Sequence, residues 1–290
     1  MSEILVTGAT GTFGAAVVEG FRKMRRSIRV LVRDSSRFAK IDEEVVIGGF
    51  GDPGSLEAAL SGIDCVFLAS FDQADMPALQ YNLITAAQRM GVRHIVRIST
   101  IGVDDPRFGQ IMANHLKGER QLEASGLAFT HLRPSWVLQN FLPTSAFTPV
   151  RDGKISLPAG NAGVGFVDAR DVAAVAIAAL TEPDHENRAY TLTGPEAATH
   201  AQLANALSEA SGQQIVYEDL PPEDYVRQVT AAGWSPASIK SVTRLFDDMR
   251  SGGAAVVSDD VYQVTKRPPL SVSDFARDYS QYFIVDRNAQ

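Results

Sequence analysis

The sequence predicts an α/β fold: a doubly wound parallel sheet with a smaller, mainly helical region attached. Three observations lead there. Short apolar runs alternate with helical patterns through the first half of the chain. Those runs are continuously apolar rather than alternating, as strands buried on both faces require. After residue 193 the strand–helix alternation stops. The 290 residues suffice for one large domain with an appendage, and 45% hydrophobic with 21% charged residues is ordinary globular composition.

Residues 4–7, 28–32, 45–47, 65–69 and 94–99 read as strands, rich in Val and Ile and nearly without charge. Helical patterns separate them at 14–26, 55–60 and 76–90. Asp52-Pro53 supplies an N-cap followed by proline in the first helical position, and Gly91 supplies a C-terminal stop. A further helix over 112–124 ends at Ser125-Gly126, followed by a strand at 128–132, a helix at 170–180 and a last strand at 190–193. Such alternation builds right-handed βαβ units. The expected sheet domain is therefore residues 1–135 with 166–193. Residues 136–165, rich in Pro, Gly and aromatics, and 194–290 form the second region.

Cys65 is the only cysteine, which excludes an internal disulfide and a multi-cysteine metal site and suits a reducing cytoplasm. The longest strongly apolar stretch, residues 172–180, is too short to span a bilayer, and no basic leader precedes the first apolar run. Residues 1–150 carry 15 Lys or Arg and 15 Asp or Glu, whereas 151–290 carry 12 and 19, so the net charge of −7 resides in the second half. No basic face for direct nucleic-acid binding is expected. A monomer or a homodimer is expected.

The chemistry begins at Gly8-Ala9-Thr10-Gly11-Thr12-Phe13-Gly14, between the first strand and the first helix. The first glycine permits a tight turn, the second lets backbone approach a pyrophosphate, and the third lets helix and strand pack closely. The helix N-terminus presents N–H groups and a positive dipole end to the phosphates. Dinucleotide binding follows, with the loop residues Gly8, Thr10, Gly11, Thr12, Phe13 and Gly14 as contacts. The second strand ends in Val32-Arg33-Asp34. An acid at this tip would hold the ribose of NAD, an arginine the 2′-phosphate of NADP. Arg33 and Arg37 can converge on one phosphate, and Asp34, ahead of Ser35-Ser36, can be a turn cap. NADP(H) is therefore expected in preference to NAD(H).

Thr7 to Gly14, Val32-Arg33-Asp34, the Asp52-Pro53 helix start with Ser55-Leu56, and the run from Leu132-Arg133-Pro134 to Asn140-Phe141 together resemble the NmrA-like branch of the atypical short-chain dehydrogenases/reductases. The resemblance covers nearly the whole chain and implies a Rossmann-type fold. It implies either an NADPH-dependent reductase of quinones or dyes, or a redox-sensing regulator that binds the cofactor without turnover. Matched by position, further cofactor contacts would be Phe50, Ala69, Ser70 and Phe71, with Ser135 and Trp136 bordering the nicotinamide. Where the family often carries an acid facing the adenine, this chain has Gly49.

The usual Tyr-x-x-x-Lys pair is missing from the helix after the fifth strand, and its one occurrence, Tyr262 to Lys266, lies near the C-terminus and reads as coincidence. That helix carries His115 instead, where the branch has His or Lys, with Glu119 one turn later and Ser99 at the family's serine position. Imidazole, with an ordinary pKa near ~6.5, can deliver a proton at neutral pH; the plain alternative is an exposed helix with an i,i+4 pair. Trp136, Phe141, Phe147 and Trp234 come from segments expected to cover the carboxyl ends of the strands, and an aromatic lining suits a flat apolar substrate. His94 and His131 fall on strands, and His185 and His200 in polar connections. No histidines pair at metal-ligand spacing, so no metal is expected.

Overall fold

The computed structural model describes residues 3–70, 74–105, 107, 109–145, 147–148 and 150–284. The chain begins β1 (Ile4–Thr7), α1 (Thr12–Lys23), β2 (Arg29–Val32), β3 (Glu44–Ile47), α2 (Pro53–Leu60) and β4 (Cys65–Leu68). It continues α3 (Met76–Met90), β5 (His94–Ile98), α4 (Gln110–Glu123), β6 (Ala128–Pro134), β7 (Lys154–Leu157) and β8 (Gly163–Val164). Next come α5 (Ala169–Thr181), β9 (Arg188–Leu192), β10 (Ala198–Thr199), α6 (His200–Ser211), β11 (Val216–Asp219) and α7 (Pro222–Ala231). It closes with α8 (Pro236–Arg250), α9 (Asp260–Thr265) and α10 (Val272–Tyr279). Two units result: Met1–Pro106 with Ile111–Pro134 and Ala169–Thr191, and Arg107–Gln110 with Ser135–Asp168 and Leu192–Gln290.

In the first unit the sheet order is β3-β2-β1-β4-β5-β6-β9, and the pairs from β3 to β6 are parallel. The order reverses between β1 and β4, so this is a doubly wound sheet with its switch point there. Every residue of β1, β2, β4 and β5 is buried, which is why their sequences show no polar face, whereas β3 at the edge is half exposed. One side of the sheet packs Leu5, Val66 and Ile95 against Leu56 and Leu60 of α2 and Leu83 and Ala87 of α3. On α1, a side chain at Gly20 would come within 2.3 Å of Ile177 on α5, so glycine sets that helix spacing. Asp52 caps α2 by accepting from the N–H groups of Gly54 and Ser55, with Pro53 in the first turn; Gly91 closes α3 at φ +77°.

The second unit differs from expectation. Strand–helix alternation does recur beyond residue 194, as β10, α6 and β11, and β7 and β8 lie within 136–165. They form two small two-stranded sheets, β10 with β8 and β11 with β7. Strands of two to four residues are too short to leave a period in the sequence. The core around them holds Phe141, Phe166, Phe246 and Phe275. His200 is also there, fully buried, with the rings of Phe141, Phe166 and Tyr217 within 5.7 Å, rather than in a polar connection.

Candidate active site

The loop shows why Gly8 and Gly14 are glycines. Gly8 adopts φ +64°, and the Gly11 N–H donates to its carbonyl at 2.8 Å, closing the turn. A side chain at Gly14 would lie 2.1 Å from the Gly8 carbonyl oxygen, and one at Gly8 would lie 2.9 Å from that of Ala69. Strand and helix therefore approach as closely as backbones can. Thr10, Gly11 and Thr12 are exposed, Phe13 is half-buried, and no side chain caps α1. Its first N–H groups are open to an anion. Across the switch point the Thr7 hydroxyl sits 3.0 Å from the Phe67 carbonyl and 3.0 Å from the Ala69 N–H, tying the ends of β1 and β4 together.

Beyond β2, Arg33 and Arg37 are exposed, and among the described residues neither makes an ion pair. Asp34 is engaged: its Oδ1 accepts from the Ser36 hydroxyl at 2.7 Å and the Ser36 N–H at 2.9 Å, capping the 3-10 turn Ser35–Arg37. Those bonds hold its carboxyl below the usual range. Gly49 lies under Arg33, where an added Cβ would touch the arginine Cγ at 3.6 Å. Phe50 packs against the sheet core, and its carbonyl accepts from Asn82 at 3.0 Å. Ala69 is buried and Ser70 half-buried; Phe71 lies outside the described residues.

On α4, His115 and Glu119 are both buried, at 6% and 1% exposure, which removes the plain reading of an exposed i,i+4 pair. The Glu119 carboxylate receives a two-pronged bond from Arg133, at 3.0 Å from Nε and 2.6 Å from Nη2. Burial pushes this carboxyl up, but the paired bonds from Arg133 win and hold it below the usual range. Glu119 thus faces Arg133 on β6. Ser99 is 2% exposed, with its N–H donating to the Leu132 carbonyl at 2.7 Å.

Sequence reasoning missed a buried group behind this site. Arg97 on β5 is fully buried and donates from Nε to Gln80 Oε1 at 2.9 Å; Gln80 Nε2 donates to Ser70 Oγ at 2.8 Å. Gly118 makes room, since a Cβ there would lie 2.4 Å from the Arg97 guanidinium. An arginine amid an apolar strand was the available signal. Glu119, Glu123 and His131 also offer ligand atoms within 4.8 Å of one another, but Arg133 already occupies both Glu119 oxygens, which sets a cation against any metal there.

The second unit contains the remaining expected residues. Ser135 is buried and its N–H donates to the Leu192 carbonyl; Trp136 tilts against Phe246 at 5.5 Å. Phe141 is fully buried, edge-on to Phe166 and His200, so it belongs to the core and not to a substrate lining. Trp234 is partly buried against that core, and Phe147 is 48% exposed. On α9, Tyr262 is exposed, and Lys266 lies past the helix end, its Nζ donating to the Gln263 carbonyl.

The NmrA-like family model matches residues 1–275. The NAD(P)H azoreductase of Xenophilus azovorans is 34% identical over 284 residues, 97% of this chain and 99% of the relative. Quinone oxidoreductase 2 of Escherichia coli is 30% identical over 236 residues, 79% and 82% of the two chains. The structure of an NADPH-dependent quinone oxidoreductase from Escherichia coli, complexed with NADPH, matches with a TM-score of 0.81 at 26% identity, over 95% of this chain and 99% of that one.

Proposed function

The chain belongs to the NmrA-like family, and from that premise we propose that it is an NADPH-dependent reductase of a flat conjugated acceptor such as a quinone or an azo dye. The carrying observation is the cradle at the switch point: a loop where side chains at Gly8 and Gly14 would strike backbone, opening onto an uncapped helix start. A close strand-to-helix turn ending in free N–H groups suits the pyrophosphate of a dinucleotide. Arg33 and Arg37, exposed and without ion pairs among the described residues, would hold the 2′-phosphate, with Asp34 turned to its own cap.

When bound, the dihydronicotinamide supplies the hydride. The chain's own contribution is to position and to move a proton. His115, on α4, is assigned as proton donor, Glu119 as its anionic neighbour one turn on, and Ser99 as a polar group beside Glu119. Ser135 and Trp136 border the nicotinamide in this reading, and Trp234 and Phe147 supply aromatic surface for the acceptor. The relatives' names support the acceptor class, since an azoreductase and a quinone oxidoreductase both act on conjugated electron acceptors. No helix among the described residues is long and apolar enough to cross a membrane. A small-molecule substrate, a reducing cytoplasm for the lone buried Cys65, and either a monomer or a homodimer complete the reading.

The rival is a cofactor-binding regulator without turnover, favoured by the missing tyrosine on α4. NADPH consumption across a panel of quinones, azo dyes and enones separates the two. Acceptor-dependent oxidation supports the reductase; tight NADPH binding with no oxidation by any acceptor supports the regulator.

A further inference from the structure

Resting on the reading that NADP(H) binds beside the β1–β4 switch point, we propose that Arg97 and Gln80 form a directional hydrogen-bond relay that makes Ser70 an obligate donor to an acceptor oxygen of the cofactor. Ser70 directly follows Ala69 at the carboxyl end of β4, and Ala69 is tied through Thr7 to the glycine loop. Ligands of open α/β sheets bind just outside this point.

The direction of the relay follows from donor and acceptor inventories. A guanidinium offers only donors, so the Gln80 carbonyl oxygen must face Arg97 and its NH2 group must face the other way. That NH2 donates to Ser70 Oγ at 2.8 Å. The Ser70 oxygen is thereby used as an acceptor, and among the described residues its proton has no acceptor. A half-buried hydroxyl in this state presents its proton outward. Arg97 is 0% and Gln80 1% exposed, so water cannot reorient the amide, and Gly118 keeps α4 clear of both groups. Burying a guanidinium is costly, and an apolar side chain would fill the space as well. Orienting Ser70 gives the buried cation a role that packing does not.

Gln80→Glu tests this cleanly. The carboxylate keeps an acceptor for Arg97, so the fold is retained, but it now presents an oxygen to Ser70 and draws the hydroxyl proton inward. NADPH affinity by calorimetric titration is expected to fall roughly tenfold or more in Gln80→Glu and in Ser70→Ala alike. In the double variant, Gln80→Glu should add no further loss. Arg97→Met, which frees the amide to flip, should also weaken binding in wild-type but not in Ser70→Ala background. Equal loss from Gln80→Glu with or without Ser70 would show a charge or folding effect and overturn the relay. So would unchanged affinity in Ser70→Ala or in Gln80→Glu. A wild type that fails to bind NADPH at all would instead overturn the cofactor reading on which the relay stands.

Discussion

Arg33 and Asp34 are neighbours that could each read a different cofactor, and the structure separates them by what they already touch. Asp34 has its Oδ1 committed to Ser36, while Arg33 rests its stem over Gly49 with its guanidinium exposed. Arg33→Ala should therefore weaken NADPH binding by roughly tenfold or more, the worth of one charge-assisted bond, and leave NADH binding nearly unchanged. Asp34→Ala should alter neither affinity more than a few-fold. Parallel titrations check this, and the NADPH to NADH ratio is the quantity to compare, because a folding defect lowers both. An unchanged ratio in Arg33→Ala would return the reading role to Asp34. At the reacting end, His115→Ala should lower turnover about 10²–10⁴-fold while barely changing NADPH affinity, as loss of a general acid does. Wild-type turnover in that variant would leave His115 as a buried helix residue only. The glycine loop and the arginine pair were legible in the sequence because their residues are adjacent in the chain. The Arg97–Gln80–Ser70 group was not, because its members sit on three elements and meet only in the fold.

Helix α4 shows what an element can hide. The plain alternative for His115 and Glu119 was an exposed helix with an i,i+4 pair, yet both are buried, as is Gly118 between them. A glycine inside a helix ordinarily costs about 1 kcal/mol relative to alanine. Gly118→Ala should nevertheless destabilise the protein, because the new Cβ would lie 2.4 Å from a guanidinium with no exposed surface into which to retreat. Overpacking of this kind costs about 1–3 kcal/mol, enough to exceed the gain in helix propensity. Urea denaturation decides it: a stabilised variant would mean that Arg97 can move aside. Elsewhere the ends of elements were legible where punctuation is local, as at Asp52-Pro53 and Gly91. The small strands β7, β8, β10 and β11 were not, since pairing across the chain, not local pattern, creates them.

At the scale of the molecule, three buried histidines couple folding to pH. Burial pushes His94, His131 and His200 each down to about 4. The folded state keeps the rings neutral, whereas the unfolded chain takes up protons near the ordinary 6.5. Their contribution is fully present above that pH and drains away as pH falls toward 4, by on the order of 3 kcal/mol at most for each. Glu43 and Asp274, both held at about 2, lose their contributions only at lower pH. Urea midpoints should therefore fall steadily from pH 7 to pH 4, and His200→Phe should flatten the slope. A flat profile across that window would contradict the burial of these rings. The sheet domain was legible because its strands are buried on both faces and its helices carry local caps. Phe141 was misread because nothing local distinguishes an aromatic in a core from one on a lining. His200, expected in a polar connection, was misread because only the fold brings the rings of Phe141, Phe166 and Tyr217 around it.

The claim that this fold carries out NADPH-dependent reduction is tested most directly by a single turnover. Protein loaded with NADPH is mixed rapidly with a panel of quinone and azo acceptors while the reduced cofactor is followed by its absorbance. The account predicts oxidation of the bound NADPH by at least one acceptor, slower when the transferred hydrogen is deuterium. NADPH that binds tightly and stays reduced with every acceptor would contradict it.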